Sequence, residues 1–284
     1  MSAMQHAIPA PSPATTRSRR ILTTPANTLA VYTTAFLLRS GARTAAIWMV
    51  CVAGYLVALT FSFHQISPAL TTTEYPEGLA KAFHIDDMHS ISGFLSTEVF
   101  SFIPIVLAVY PIVLMASALA GAEERSQLDM LLGTPLSRMD LAIAKAVSAT
   151  ILIAAMLLAI ASFGWLGGVA SGEHIPASTI YGATLALGPF MAFFGGVTLV
   201  FSALAHRFAT AMGLGVGVLL AMYALDLVAR ITERTAFGWF SAFHYYGTPM
   251  LDGVDWAGAV GMSIAAILLG AVAVILFRRR DIYS

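Results

Sequence analysis

Cysteine and charge are both scarce in this chain. Cys51 is the single thiol among 284 residues, so an intramolecular disulfide and a thiolate metal cluster are both excluded. Asp, Glu, Lys and Arg together make up only 11% of the residues, against about 25% in soluble domains. A globule with so little charge has too little polar surface to face water. No Gly-x-x-x-x-Gly-Lys-Ser/Thr loop is present, since neither Lys81 nor Lys145 follows such glycines, and the chain therefore brings no P-loop nucleotide site of its own. Paired acids and a His-Glu-x-x-His constellation are missing from the apolar runs, which argues against a membrane-embedded enzyme such as an intramembrane protease. Glu123-Glu124-Arg125 has no histidine partners in facing runs. Mid-run charges and repeated halves are missing too, which argues against the other alternative, an ion-coupled secondary transporter. The longest polar stretch, from about Ser67 to Glu98, is too short for an independent domain. Residues 1–25 are rich in Pro, Ser, Thr and Ala, lack an apolar stretch followed by a cleavage site, and read as a disordered cytoplasmic tail.

Hydrophobic residues, by contrast, account for 58% of the chain, with a mean hydropathy of +0.81. They fall in six runs with at most one charged residue each, near 44–65, 99–121, 142–166, 178–205, 208–229 and 256–277, each close to the roughly 20 residues a helix needs to cross hydrocarbon. The expected fold class is an all-α membrane protein with six transmembrane helices. Basic residues sort by side. Arg17, Arg19, Arg20, Arg39 and Arg43 precede the first span, and Arg125, Arg138 and Lys145 lie between the second and third. Arg207 lies between the fourth and fifth, and Arg278, Arg279 and Arg280 follow the sixth. The positive-inside bias then places both termini in the cytoplasm, in a cell inner membrane. The opposite side keeps Lys81, Arg230 and Arg234 with most of the acids.

Several groups outside this pattern have two readings each. Between Asn27 and Arg43, Leu29, Tyr32, Phe36 and Leu37 recur at helical spacing, which suits an N-terminal helix over 26–43 lying in the cytoplasmic interface or an early extension of the first span. Asp226 and Arg230, four residues apart near the outer end of the fifth span, form either a headgroup-level ion pair or part of an outer gate. Glu98 lies at the outer mouth of the second span, on an exit path or among headgroups. His84, Asp86, Asp87 and His89 are the weak metal candidates, since imidazole with carboxylate suits zinc or copper, but short His/Asp runs are commonly just solvated. His64 reads as interfacial. Gly213 and Gly217 inside the fifth span suggest close helix packing. Trp239, Phe240, Phe243, His244, Tyr245 and Tyr246 form an aromatic cluster that any membrane interface accommodates. Pro104 and Pro111 are expected to bend the second span.

The stretch from Gly121 to Lys145 is the most informative. Leu128, Leu131 and Leu132 share a helical face, with Glu124 and Asp129 as polar flanks. Gly133 and Pro135 stop the helix, and Ser137 with Asp140 resembles a capping box that starts the next. Spacing thus predicts a short amphipathic cytoplasmic helix, a sharp turn and re-entry into the membrane. Glu124, Leu128, Leu131, Leu132, Pro135, Leu136, Ser137, Arg138 and Lys145 match in register the intracellular coupling motif of ABC-2 type transporter permeases, with Ser126-Gln127 standing where that family has Gly-Thr. The segment Phe240-Ser-Ala-Phe-His-Tyr-Tyr, the Gly247-Thr-Pro249 break, Trp256 and the closing Phe277-Arg-Arg-Arg-Asp-Ile282 are similar to the same family's C-terminal signature.

The resemblance implies the permease subunit of an ATP-driven exporter for a hydrophobic or amphipathic substrate, not an enzyme. Its expected partners are separate cytoplasmic ATPase subunits, which bind ATP and Mg, a second copy of itself or a homologous permease, and the lipid bilayer, with no nucleic acid and no cofactor on this chain. It implies that Glu124, Leu128, Leu131, Leu132, Pro135, Ser137, Arg138 and Lys145 couple to the ATPase, and that Phe102, Val106, Tyr110 and Val113, with Glu98, line the pathway. Outer re-entrant helices before the sixth span, with Asp226, Arg230, Phe243 and Tyr245, are expected to cap the pathway's outer end.

Overall fold

The computed structural model of the chain describes residues 26–70, 90–124, 138–232 and 235–279. Among these residues the regular structure is helical, and six helices are long and apolar enough to cross a membrane. We number the elements α1 (Ala26–Leu70), α2 (Ile91–Ala116), α3 (Ala120–Glu124), α4 (Arg138–Ser171), α5 (Ala177–Leu204), α6 (Phe208–Thr232), α7 (Thr235–Gly238), α8 (Ala242–Tyr246) and α9 (Trp256–Arg279). The spans are α1, α2, α4, α5, α6 and α9.

The expected separate interface helix is not a separate element. Residues 26–43 run into the first span within one 45-residue helix, because no Gly-Pro break or cap interrupts them. The tail 1–25 lies outside the described residues. The second span starts at Ile91, well before the expected 99. There the Ser90 hydroxyl accepts the Gly93 amide at 3.0 Å and caps the helix. Glu98, where the apolar run ends, does not end the helix, because one half-buried acid is tolerated in a span.

α2 is irregular. Ile91–Leu95 passes into a π turn at Ser96–Phe100, then Ile103–Ala116 resumes as α-helix with Pro104 in its first turn, where proline's missing N–H is no loss. α5 bends at Ala186, between Ala177–Leu185 and Leu187–Leu204. Pro189 lacks the N–H that would bond the Leu185 carbonyl, which explains the interruption. Between α4 and α5 the chain turns within a few residues: Gly172 adopts φ +81° and the Glu173 amide bonds the Gly168 carbonyl at 2.9 Å, a left-handed helix stop that glycine allows.

α5 is the hub, packed against α9, α2 and α6, while α1 lies along α4. A Cβ on Gly196 of α5 would stand 3.1 Å from the Ala266 carbonyl oxygen of α9, and one on Gly164 of α4 would stand 2.9 Å from Ile180 Cδ1. Glycine thus sets these two close approaches. Phe190, Phe194, Leu157, Ile160 and Ile180 are fully buried in the core.

Within the protomer, the close approach on α6 is made by Gly215 rather than by Gly213 and Gly217. A Cβ at either would meet nothing within 4 Å, whereas Gly215 is the one pressed against Thr198 and Ile112. Residues two apart on a helix face opposite ways, and α6 turns its middle glycine inward.

Candidate functional site: a braced helix break and an open face

The bundle has two ends. One gathers the start of α4, the ends of α2 and α5, the start of α6 and the end of α9, where Phe277 packs among Met115, Leu119, Ala149 and Ala203. We call it the terminal end, and the other the distal end.

At the terminal end α2 stops at Ala116, a turn follows at Ser117–Leu119, and α3 starts at Ala120. A helix break inside an apolar bundle frees amides and carbonyls that need partners. Here neighbouring helices supply them. The buried Ser202 hydroxyl of α5 accepts the Leu119 amide at 3.3 Å and the Ala120 amide at 3.0 Å, and donates to the Ala116 carbonyl at 3.1 Å. From α4, the Lys145 ammonium donates to the Ala118 carbonyl. Beyond the break, Glu124 Oε2 accepts the Phe208 amide at 2.9 Å, which places a carboxylate on the amino-terminal end of α6. Glu123 Oε1 lies 3.0 Å from His206 Nδ1 in the connection that leads to α6.

One short segment therefore ties α2, α4, α5 and α6 together. Of the residues expected to couple, Glu124 and Lys145 stand in this junction. Leu128, Leu131, Leu132, Pro135 and Ser137 lie outside the described residues. Arg138 begins α4, and its side chain lies outside them as well. Spacing gave no sign of Ser202 or of the Glu123–His206 pair. A lone serine in the last turn of an apolar span was the available signal, because buried hydroxyls in spans generally serve another backbone.

α2 lies between α1 and α6 with α5 behind it. Phe102 and Val106 of α2 are exposed there, at 45% and 43%, and Val113 is half-buried on the same helix. Gly54 of α1 and Gly213 and Gly217 of α6 have nothing within Cβ reach. Tyr55 of α1 donates its hydroxyl to the Glu98 carbonyl at 3.2 Å, and the Glu98 side chain is half-buried. Tyr110 does not share this open face. It is 2% exposed, turned inward, and its hydroxyl has no hydrogen-bond partner among the described residues.

At the distal end, Asp226 is buried and accepts Arg230 Nε at 2.7 Å. The pair lines a cleft of about 40 Å³ with Ser96, Phe100, Tyr223 and Phe243. The Ser241 hydroxyl caps α8 by accepting the Phe243 amide and donates to the Met222 carbonyl at 2.8 Å. Phe243 inserts among Phe190, Phe194 and Tyr223, at ring separations of 4.9, 6.4 and 5.4 Å. Tyr246 donates to the Ala183 carbonyl at 3.3 Å, and burial pushes its phenol far above the ordinary range, so it stays a donor. Two short helices before the last span are thus present, and Asp226, Arg230 and Phe243 converge. Tyr245 does not join them: it is exposed, on the far side of α8, with its hydroxyl on the Trp239 carbonyl at 3.1 Å.

The candidates His84, Asp86, Asp87 and His89 lie outside the described residues. Among the described residues, no three His, Cys, Asp or Glu side chains come close enough to hold a metal.

No curated protein matches the chain. A family model described as the multidrug efflux system permease Rv1217c, C-terminal domain, matches residues 32–278, almost the whole described bundle. The chain, a multi-pass membrane transport protein built on six spans, belongs to this multidrug efflux permease family of ABC-2 type permeases.

Proposed function

We propose that the chain is the membrane half of an ATP-driven exporter, pairing with a second copy or a homologous permease through the α1–α2–α6 face. Two copies of a separate cytoplasmic ATPase, which bind ATP and Mg, engage its terminal end. That end faces the cytoplasm, so both termini are cytoplasmic and the distal end opens outside. The cargo is hydrophobic or amphipathic, since the exposed face of α2 offers Phe102 and Val106 and no charged side chain other than the half-buried Glu98.

The observation that carries the reading is the braced junction. Residues 125–137, which hold the coupling-motif positions Leu128, Leu131, Leu132, Pro135 and Ser137, follow α3 in the sequence. Glu124 joins α3 to the start of α6, and Ser202 and Lys145 join the break to α5 and α4. Pressure on this segment therefore reaches α2 and α6 together, and these are two of the three helices bounding the open face. A partner that contacts the segment differently in two ATPase states shifts the balance between two arrangements of that face. No group on this chain has to perform chemistry.

The test is reconstitution with a co-expressed ABC ATPase in proteoliposomes, measuring ATP hydrolysis and dye efflux for wild type, Glu124→Gln and Glu124→Ala. Gln keeps an acceptor for the Phe208 amide and is expected to retain most coupling. Ala removes it, and the expected result is hydrolysis without efflux. Wild-type efflux by the Ala variant would refute the relay.

A further inference from the structure

A second cavity, larger than the Asp226 cleft, opens at the distal end between α6 and α9. It measures about 540 Å³, within the roughly 300–1,000 Å³ typical of small-molecule sites. Phe193 of α5 forms its floor, and Met222 of α6 and Met262 of α9 form its walls. Trp239, Phe240 and Tyr245 form the roof, and the Tyr245 hydroxyl donates to the Trp239 carbonyl at 3.1 Å. All three roof rings are exposed, Phe240 by 77%.

Among the described residues one charged side chain lines this groove, and it is acidic. Asp255 accepts the Ala257 and Gly258 amides through Oδ1, at 3.0 and 3.1 Å, which anchors the carboxylate at the start of α9. The positive end of α9 offsets only part of its charge. Among the described residues no basic side chain lines the groove, whereas in the neighbouring cleft Arg230 neutralises Asp226. Three aromatic rings beside a carboxylate with no basic partner among the described residues favour a cation, through the negative ring faces and direct charge attraction. The methionine walls adapt to an irregular apolar body.

We propose that this groove binds lipophilic monovalent organic cations. The inference deepens the efflux reading by naming a cargo class, and it rests on that reading for its place in transport. Binding itself needs neither ATPase nor a second copy.

The test uses the purified full chain in maltoside micelles, with empty micelles subtracted, titrated by calorimetry with tetraphenylphosphonium and with tetraphenylborate. The two ions share a shape and differ in the sign of their charge. Tetraphenylphosphonium is expected to saturate at one per chain and to bind about tenfold more tightly than the borate. Asp255→Asn keeps an oxygen for the two amides, so α9 stays capped, and it is expected to abolish the discrimination. Phe240→Ala, at an exposed ring, is expected to weaken the cation several-fold while leaving the melting temperature unchanged. Equal binding of the two ions, or wild-type binding by both variants, would reduce the cluster to an interfacial aromatic belt and overturn the proposal. Loss of the cation's binding in phosphatidylethanolamine nanodiscs would also overturn it, by assigning the groove to a lipid ammonium. Efflux failure with intact binding would count against the transport reading alone.

Discussion

Replacing Ser202 by alanine removes one oxygen and three hydrogen bonds at the terminal-end break. The side chain is fully buried and serves two amides and one carbonyl of the Ala116–Ala120 turn. An orphaned buried backbone group costs about 1–3 kcal/mol. The three costs do not add, because the turn relaxes and Lys145 still holds the Ala118 carbonyl. A loss of about 3 kcal/mol from the local opening free energy is therefore expected, and at 1.4 kcal/mol per decade it corresponds to a roughly 100-fold larger open population. Global unfolding should change less, because the six spans keep their packing. Hydrogen-exchange mass spectrometry in nanodiscs reads this directly. Peptides over 114–124 should lose protection in Ser202→Ala, retain it in Ser202→Thr, and leave α9 peptides unaltered. Unchanged protection over 114–124 would show that the hydroxyl does not brace the break.

Further predictions concern the distal ion pair and the open face. Arg230→Ala leaves the Asp226 carboxylate buried without its cation. It should cost about 3 kcal/mol and lower the melting temperature of the detergent-purified protein. Adding Asp226→Leu should restore most of that loss, and a double variant no more stable than the single would refute the pairing argument. Gly217→Leu adds a side chain where nothing lies within Cβ reach in the protomer, whereas Gly215→Leu drives into Thr198 and Ile112. The first should leave folding intact and abolish dimers seen by mass photometry, and the second should lower expression. Persistent dimers in Gly217→Leu would remove α6 from the interface.

The six spans were legible because an apolar helix must satisfy its own backbone in lipid, and that requirement writes long uncharged runs into the chain. Boundaries were less legible where one polar residue interrupts a run. Glu98 hid the start of α2, which its Ser90 cap in fact sets. Helix phase within the bundle was not readable from composition at all. Nothing in the chain distinguishes Gly215, which packs within the protomer, from Gly213 and Gly217, which do not pack there, and Tyr110 carries no mark that turns it inward beside an exposed Val106. Asp226 with Arg230 was readable from four-residue spacing, because a helix places such residues side by side. The brace by Ser202 joins residues more than eighty positions apart, and only the packing of α5 against α2 reveals it.

A π turn carries one residue more than an α-helical turn, and the turn at Ser96–Phe100 therefore sets the angular phase of everything in α2 that follows. An α-helix advances about 100° per residue. Removing one residue there would swing the Ile103–Ala116 segment through roughly that angle. Phe102 and Val106 would leave the open face, and the Pro111 ring would leave its seat against Gly195. What the stretch between Leu95 and Pro104 must preserve is its count of residues, so that the top of the helix acts as a phase-setting washer for the face below it.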